Sequence, residues 1–437
     1  MKTVTSDKSK LFLEAFAQNN AAEPAWGRNR GQRQAALAVL AEQGTEIRGR
    51  EEWLFGDAGA MASGDALPLF GKHAGNDLAA KISTENPHLL VFVNGVFDAG
   101  RSRIADLPAG ATVVALSAVD DANQVGEIAR DQESSFTALN SAFWRDGVLV
   151  KIAAGSVLEH PIELHYLNDL NGQVGLIPVR NVVQVGDKGA VTFIERSSAV
   201  AEGISEQPLT EITCGVGAKV HHIKVMSGLE VGEHYGSTHV VQAADSQYRS
   251  WEILTGGRVV RRELHVTLAG TGADCDLNAL YMGSGQQRYD LRTRVRHDAA
   301  GCETRELYKG IMDDASRGIF DGLIYVAKDS QQTNAHQTNR NLLLSDDAVV
   351  NSIPRLEIYA DDVKCSHGST TGQLSDDQLF YLQTRGFSPE EARTYLAWAF
   401  ASEVVESIPV ESLRKELSAE LTRSLAVFDS AELEGNS

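Results

Sequence analysis

The sequence predicts a mainly β protein, in which a parallel β-helix (β-solenoid) core is flanked by N-terminal and C-terminal helical regions. Two columns of turn residues recur at a nearly constant spacing in the strand-rich middle of the 437-residue chain. The first column is Gly186, Gly215, Ala243, Gly270 and Ala299, and the second is Gly228, Gly256, Gly283 and Gly310. A single coil cannot bury its apolar face alone, whereas coils stacked about 4.8 Å apart bury their apolar faces against each other.

The predicted N-terminal region, residues 1–145, combines short helices with a small mixed segment. Its helical spacing is carried by Leu11, Phe12, Ala15 and Phe16, followed by Ala36, Leu37 and Leu40. Apolar residues at this spacing favour helices before about residue 60. Two apolar runs, residues 89–93 and 113–116, flank turns that contain Gly and Asp, and they predict strands.

The predicted β-helix core, residues 146–374, has β-branched strands broken by Gly and Asp turns and almost no helical period. Aligning the turns places Cys275 on Cys302, one repeat later, so we expect both thiols in one buried internal ladder. Beyond Gly310 the period is lost, because Tyr325 follows Tyr308 after much less than one repeat. The solenoid is therefore expected to end there or to be interrupted.

The predicted C-terminal helical domain, residues 375–437, begins with two helix starts. Ser375 opens a short helix that Gly386 closes, and Ser388 opens a second one with Pro389 at its first position. Pro409 marks a third helix. The apolar stripes of the second and third helices must pack against another protein surface. One interpretation is packing on the end of the solenoid, and the other is a docking surface for another protein.

Composition excludes several partners. The 59 acidic residues outnumber the 40 basic ones and give a net charge of −19, so nucleic acid is not expected to bind. No apolar run exceeds seven residues, against the roughly 20 that span a bilayer, so no membrane association is expected. The start of the sequence lacks a secretion signal, which predicts a cytoplasmic location.

The sequence contains no common catalytic signature, so we expect no enzyme. A phosphate-binding loop, a nucleophile elbow and a zinc-protease helix are all absent. His221 and His222 would point to opposite faces of a strand and cannot share one metal ion. The four cysteines are too widely and too unevenly spaced to match a disulfide framework or paired zinc ligands, and we interpret them as free thiols.

Cys365 and His367 form the one candidate metal site. If residues 363–367 are extended, the two side chains point to the same face, roughly 6.5–7 Å apart along the strand. Thiolate and imidazole suit iron, zinc or copper, but two ligands make at most half of a tetrahedral site. A second chain would have to complete it. The alternative is an exposed Cys and His at a strand end, without any ligand role.

Five blocks of the sequence, in order, resemble the SufB/SufD family of iron–sulfur cluster assembly scaffold proteins. They are residues 317–322 (RGIFDG), 332–337 (QTNAHQ), 341–344 (NLLL), 354–358 (PRLEI) and 361–368 (DDVKCSHG). Residues 48–55 (RGREEWLF) and 146–150 (DGVLV) extend the resemblance toward the N-terminus. The segment that follows His367, residues 368–374 (GSTTGQL), is similar to the SufD branch of the family.

This resemblance implies a subunit of a SufBCD complex of the SUF system. Such a subunit pairs with a SufB-like chain and binds a SufC-like ATPase through its C-terminal helices. A transient iron–sulfur cluster would form at the boundary with SufB, and the histidine implicated there maps to His367; Cys365 lies in the same motif. A reduced flavin is implied for the complex, although the sequence has no flavin fingerprint.

The implied mechanism involves no bond chemistry by this chain, because ATP binding to the partner would drive the reshaping of the boundary. Two other functions compete with this one. A structural adaptor would make the same contacts without any metal role. A polysaccharide-active β-helix enzyme would need carboxylates or an Arg–Asp constellation clustered on one outer face with an open groove, and no ordered set is visible in the sequence.

Overall fold

A computed structural model describes residues 11–12, 14–17, 29–43, 67–68, 86–119, 125–129, 134–170, 172–200, 202–228 and 232–434, with backbone alone at 198–200 and 426–434. The block at residues 48–55 lies outside the described residues, as does the side chain of Phe428 in the last apolar stripe.

The helix that the spacing of Ala36, Leu37 and Leu40 predicts is present, whereas the helix at residues 135–143 was not predicted. Helix α1 spans Arg30–Gln43 and helix α2 spans Ser135–Phe143. Their buried apolar side chains form one cluster with Phe12 and Phe16, whose rings lie 5.8 and 6.1 Å from the ring of Phe143. The buried Arg33 donates hydrogen bonds to two backbone carbonyls at the end of α2 and just after it, which fixes α1 against α2.

The rest of the described chain forms two sheets and three C-terminal helices. One sheet contains β1 (His88–Val93), β2 (Val96–Phe97), β3 (Arg103–Ile104), β6 (Ile162–Asn168), β8 (Ala190–Val200), β10 (Lys219–Ser227), β12 (Gln247–Leu254), β14 (Asp274–Gly283), β16 (Glu303–Met312), β18 (Asn334–Leu343) and β20 (Lys364–Gly372). The other contains β4 (Ala111–Ala115), β5 (Val148–Ile152), β7 (Gly175–Val185), β9 (Ile204–Cys214), β11 (Glu233–Gln242), β13 (Val259–Leu268), β15 (Arg288–His297), β17 (Arg317–Val326) and β19 (Val349–Ile358).

From β5 onward the chain alternates between the two sheets, and each strand pairs in parallel with the strand two places along. This topology is a parallel β-helix, which confirms the predicted fold class. One face of each strand points into the coil, where side chains such as Phe193, Val220, Leu277 and Phe320 make a continuous core. The division of the chain at residues 145/146 and 374/375 stays a prediction.

The expectation that the solenoid ends or is interrupted after Gly310 is wrong. Asp274 pairs with Glu303, which pairs in turn with Asn334 after a slightly longer stretch of chain, and the other sheet continues in the same way to β19. The ladder persists while the connections between strands lengthen. Fixed turn spacing disappears because hydrogen bonds hold the strands in register and leave the turn lengths free to vary.

The predicted pairing of Cys275 with Cys302 is wrong by two residues. Cys275 pairs with Thr304, because the local repeat is longer than the separation of the two cysteines, and Cys302 lies just before β16. The predicted burial is confirmed, since neither residue has measurable solvent exposure. All four cysteines are free thiols, as expected. Burial raises the pKa of Cys275 well above its usual value, so this thiol stays protonated at neutral pH.

Three C-terminal helices follow the last strand: α3 (Asp376–Thr384), α4 (Pro389–Val405) and α5 (Glu411–Glu434). Ser388 and Glu391 form the predicted capping box at the start of α4. Ser375 occupies the N-cap of α3 but its side chain makes no capping hydrogen bond there.

Helices α4 and α5 cover the side of the solenoid, not its end. Their apolar residues join a cluster with the outward-facing side chains Trp251, Leu280 and Ile311. The indole N–H of Trp251 also donates to the Ser407 hydroxyl at 2.8 Å. The interpretation that the apolar stripes pack on the end of the coil is therefore corrected: they bury the outer face of the sheet that ends in β20.

Candidate functional site

Cys365 and His367 lie on β20, the last strand of its sheet, while β19 is the last strand of the other sheet. Together these strands form the terminal coil, and in the described residues no further strand pairs with either outer edge. Cys365 lies beside Ala335, and His367 lies beside Gln337. Ala335 and Gln337 are inward-facing and fully buried, so Cys365 and His367 share the face that turns toward the coil interior.

The two candidate ligands differ in solvent exposure because the end of the coil is open. His367 is exposed, because no coil covers it, whereas Cys365 is half-buried and packs against the core. This burial raises the pKa of the Cys365 thiol above its usual value, and the Ala335 N–H offsets part of the rise. A metal ion that binds this sulfur must therefore displace a proton. The imidazole of His367, by contrast, is exposed to solvent at the open end of the coil.

A row of inward-facing polar side chains, Glu306–Gln337–His367, runs across the last three strands of this sheet. The three residues are direct register neighbours on β16, β18 and β20. The Glu306 carboxylate accepts hydrogen bonds from the Thr293 hydroxyl at 2.8 Å and from the Gln337 side-chain N–H at 3.3 Å. Burial raises the pKa of Glu306 to about 7, and these hydrogen bonds and the Arg294 charge offset only part of the rise.

This raised pKa predicts that Glu306 makes stability fall as pH rises. The folded state holds the Glu306 proton up to about pH 7, whereas the unfolded chain releases it near 4.5. Folding therefore takes up a proton between these values, and the associated stability, present below pH 4.5, is lost as pH rises through 7. We expect wild type to lose about 3 kcal/mol of unfolding free energy relative to Glu306→Gln between about pH 4.5 and 8.

Denaturant titrations of both proteins across this range measure the difference, because every other titrating group is common to the two. Parallel pH profiles for wild type and Glu306→Gln would show that the carboxyl is not held protonated by burial.

The other histidines in the described residues have structural partners. His222 contacts Glu195 at 2.8 Å and Tyr248 at 2.9 Å inside the coil, while His221 packs edge-on against the outward-facing Trp251. The expectation that these neighbours face opposite sides is confirmed. His234 contacts Glu206 at 3.0 Å. Within the described part of the chain, no group of three or more His, Cys, Asp or Glu side chains is arranged to hold a metal ion.

Sequence reasoning missed Glu306 and Gln337. Gln337 belongs to one of the blocks that carry the family resemblance, but nothing in the block shows which way its side chain points. Glu306 is an acidic residue at an inward position of a strand, which alternation alone reveals once the register is known. The signal was present in the sequence, and the strand pairing was needed to see it.

Comparison with known proteins settles the family. Residues 168–400 match the family described as SUF system FeS cluster assembly, SufBD core domain, and residues 30–164 match the SufBD protein N-terminal region. The chain belongs to the SufB/SufD family. It is 31% identical over 403 residues to the iron–sulfur cluster assembly SufBD family protein slr0076 of Synechocystis, covering 88% of each chain.

Two further relatives indicate the branch. The chain is 28% identical over 398 residues to the iron–sulfur cluster assembly protein SufD of Escherichia coli, covering 90% of this chain and 92% of that one. It is 27% identical over 300 residues to SufD of Bacillus subtilis, covering 67% of each. It is thus a SufD-type member of the family, which acts in iron–sulfur cluster assembly. None of the helices in the described residues is long and apolar enough to span a membrane.

Proposed function

We propose that this chain is the SufD-type subunit of a SufBCD-like scaffold complex. It pairs with a SufB-like chain at its terminal coil, docks a SufC-like ATPase through its C-terminal helices, and contributes His367, with Cys365, to a nascent iron–sulfur cluster held at the seam. The cluster is cargo that the complex assembles and releases, and this chain performs no bond chemistry itself. The observation that carries the proposal is a cysteine and a histidine on the same face of β20, a terminal strand whose outer edge pairs with no further strand in the described residues.

The unpaired edges support pairing with another chain. The backbone N–H of Lys364 donates to the carbonyl of Thr333, the residue just before β18. Successive residues of a strand direct their N–H groups to opposite sides, so those of residues 365, 367, 369 and 371 face away from β18. Long exposed edges are templates for strand addition, which natural proteins either blunt or use. Pro354 lies where β19 would direct an N–H outward, so it costs the ladder no hydrogen bond.

The composition of the half-site supports a shared cluster. Thiolate and imidazole are ligands that iron–sulfur centres accept, and they bind iron while permitting its release when the geometry changes. Two ligands from one strand leave the remaining positions to a partner. A SufB-like chain that covers the open end would bring its own ligands to the same seam. The expected reduced flavin in the complex stays a prediction.

An exposed aromatic surface supports docking of the ATPase. Helix α3 buries none of its residues, and Phe380 and Tyr381 on it are 68% and 56% exposed. Phe387, just before α4, and Tyr395 on α4 are also exposed, and their rings lie 5.7 Å apart. Clustered aromatic side chains of this kind are typical of the energetic centres of protein interfaces.

Contacts of α4 with the last coils provide a route for motion to reach the seam. Lys309 on β16 donates to the Phe400 carbonyl at 2.8 Å and pairs with Glu403, which also lies 3.6 Å from Arg340 on β18. Arg393 donates to the Leu344 carbonyl just after β18. An ATPase that moves α3 and α4 would thus pull on the strands beside β20, as small shifts at packed interfaces do in other switches.

On the outer face of β13, β15 and β17, the described residues offer the carbohydrate-active alternative no pair of free carboxyl groups. On the β13–β15–β17 face, the carboxylates lie against guanidinium groups: Arg261 bonds Glu263 and Asp290, and Arg292 bonds Asp290 and Asp321. An acid and base pair for glycoside cleavage needs two carboxyl groups free to protonate and to attack. These charges instead form a ladder of ion pairs from coil to coil.

The double variant Phe380→Ser, Tyr381→Ser tests the docking surface. We expect its affinity for the ATPase to fall by about 2 kcal/mol or more, roughly 30-fold, because aromatic anchors carry most of the energy of such interfaces. Its thermal stability should match wild type, since both side chains are exposed. Native mass spectrometry of the three co-expressed proteins measures which subunits remain assembled.

The matched control is Val157→Ser, an equally exposed apolar residue at 58% that lies outside the C-terminal helices. It should leave the assembly intact. Full ATPase binding by the double variant would remove the basis for assigning this surface to the ATPase, and absence of any SufB-like or SufC-like partner from the wild-type assembly would overturn the proposed function.

A further inference from the structure

The strongest unexplained feature beside the candidate site is the buried amide of Gln337. Its side chain is 1% exposed, and it reaches across the coil to Gly322 on the opposite sheet. A Cβ atom on Gly322 would lie 2.2 Å from the Gln337 side-chain nitrogen, so the glycine makes room for this amide. The amide is therefore held in one place by the packing of both sheets.

The two ends of this amide have different surroundings. The nitrogen donates to Glu306, which is itself fixed by the Thr293 hydroxyl. The carbonyl oxygen is buried and accepts no hydrogen bond from the described residues. A buried acceptor without a donor destabilises the fold, and natural proteins rarely leave one so. The next inward-facing residue along the row is His367, which offers a ring N–H.

We propose that Gln337 is a positioning residue for His367: its carbonyl, oriented by the hydrogen bond to Glu306, accepts one imidazole N–H and leaves the other ring nitrogen free to face the seam. The inference rests on the proposed function for its purpose, because a ligand histidine must present a particular nitrogen as a neutral lone pair. Metal-binding histidines in general donate their second N–H to an outer acceptor, which fixes the tautomer and the ring orientation.

The amide supplies both kinds of hydrogen-bonding group that this position uses. Gln337 has a donor for Glu306 and an acceptor for His367 on one planar group, so it transmits orientation from the buried core to the open end. Rotation of the exposed His367 side chain would bring a ring N–H to the otherwise orphaned carbonyl in the free chain, and a partner that covers the open end and excludes water would strengthen the same hydrogen bond.

The test is the tautomer of His367, read from the ring ¹⁵N chemical shifts of the full-length free chain at a pH where the imidazole is neutral. Wild type should show one dominant tautomer. Gln337→Met keeps the volume and removes the amide, and we expect it to change the tautomer ratio about fivefold or more, as loss of one hydrogen bond of ordinary strength does. In the assembled complex the same variant should weaken cluster retention by roughly 10–100-fold.

Two further variants test whether misfolding, and not loss of the Gln337 amide, changes the His367 tautomer. Asn339→Leu removes another buried amide of β18, one bonded to Tyr308 and Tyr281, and should leave the His367 tautomer unchanged. The double exchange Glu306→Gln with Gln337→Glu keeps a donor and acceptor between the two residues and an acceptor beside His367. It should restore the wild-type tautomer.

An unchanged tautomer in a folded Gln337→Met protein would overturn the inference, as would a failure of the double exchange to restore the ratio. This result is distinguishable from failure of the proposed function. If the tautomer depends on Gln337 but His367 is dispensable for cluster assembly, the positioning is real and the ligand role is wrong. If His367 is needed but its tautomer ignores Gln337, only the positioning is wrong.

Discussion

His367→Ala is expected to reduce cluster assembly by the reconstituted three-protein complex more than any other single substitution in this chain. Loss of an outer-shell partner typically costs roughly 10–100-fold in metal affinity, and loss of a ligand itself should exceed this range. The exposed imidazole lies at the open end of the coil, so its removal should leave folding and pairing unaffected. Anaerobic titration with iron and sulfide, followed by absorbance, measures the effect.

The chain supplies a matched control in His336→Ala. His336 lies on β18, the neighbouring strand, and is likewise exposed, but it faces outward and bonds the Ser366 hydroxyl at 2.7 Å. Its removal should leave assembly at the wild-type rate. If His367→Ala also assembles clusters at that rate, His367 is not a ligand.

Cys365→Ala extends the same experiment to the second candidate ligand. We expect a weaker effect than for His367, because the half-buried thiol has a raised pKa and must lose its proton before it binds. The effect should grow as pH rises and the thiolate becomes accessible. An equal loss at every pH would show that the side chain supports the coil end and does not ligate.

The fold could be predicted from the sequence because stacking restricts the corners of the coils. A Cβ atom on Gly270 would lie 2.0 Å from the backbone nitrogen of Ala244, and one on Gly186 would lie 2.7 Å from that of Ala154. Glycine therefore recurs where one coil turns over the next, and most of both columns was visible without a structure; Gly310 is the exception, because it lies inside β16 and pairs with Tyr281. Turn lengths beyond Gly310 are free of this restriction, so the period disappears while the ladder continues.

Register was harder to predict than architecture. Cys275 and Cys302 are separated by slightly less than one repeat of the ladder there, and a two-residue slip keeps both side chains on the inner face. Burial was therefore predicted correctly and pairing was not. The candidate site shows the same limit. The sequence motif identified Cys365 and His367 as candidate residues. Glu306 and Gln337 could be placed in the same region only from the pairing of β16 with β18 and of β18 with β20.

Pairing of the terminal coil with a SufB-like chain should change the backbone of β20 more than any other part of the solenoid. In the free chain the outward N–H groups of residues 365, 367, 369 and 371 have no strand to bond within the described structure. If a partner strand adds there, each of these groups gains an acceptor. Their hydrogen exchange should slow by roughly 100-fold, which corresponds to about 3 kcal/mol of local opening free energy.

The variant Ser369→Pro sharpens this prediction. Proline at an outward position removes one N–H from the edge and leaves the bonds between β20 and β18 in place. We expect it to weaken binding of the SufB-like chain roughly tenfold, because an acceptor on the partner is left buried without a donor. Ser369→Ala keeps the N–H and should bind like wild type.

The claim that the open end of the solenoid is the seam of the complex is tested most directly by residue-level amide exchange over residues 349–372, with and without the SufB-like partner. Strong protection of alternate amides in β20 on complex formation is the result we predict. A stable complex in which these amides exchange as fast as in the free chain would contradict it, because the partner would then bind elsewhere and His367 would lie outside the interface.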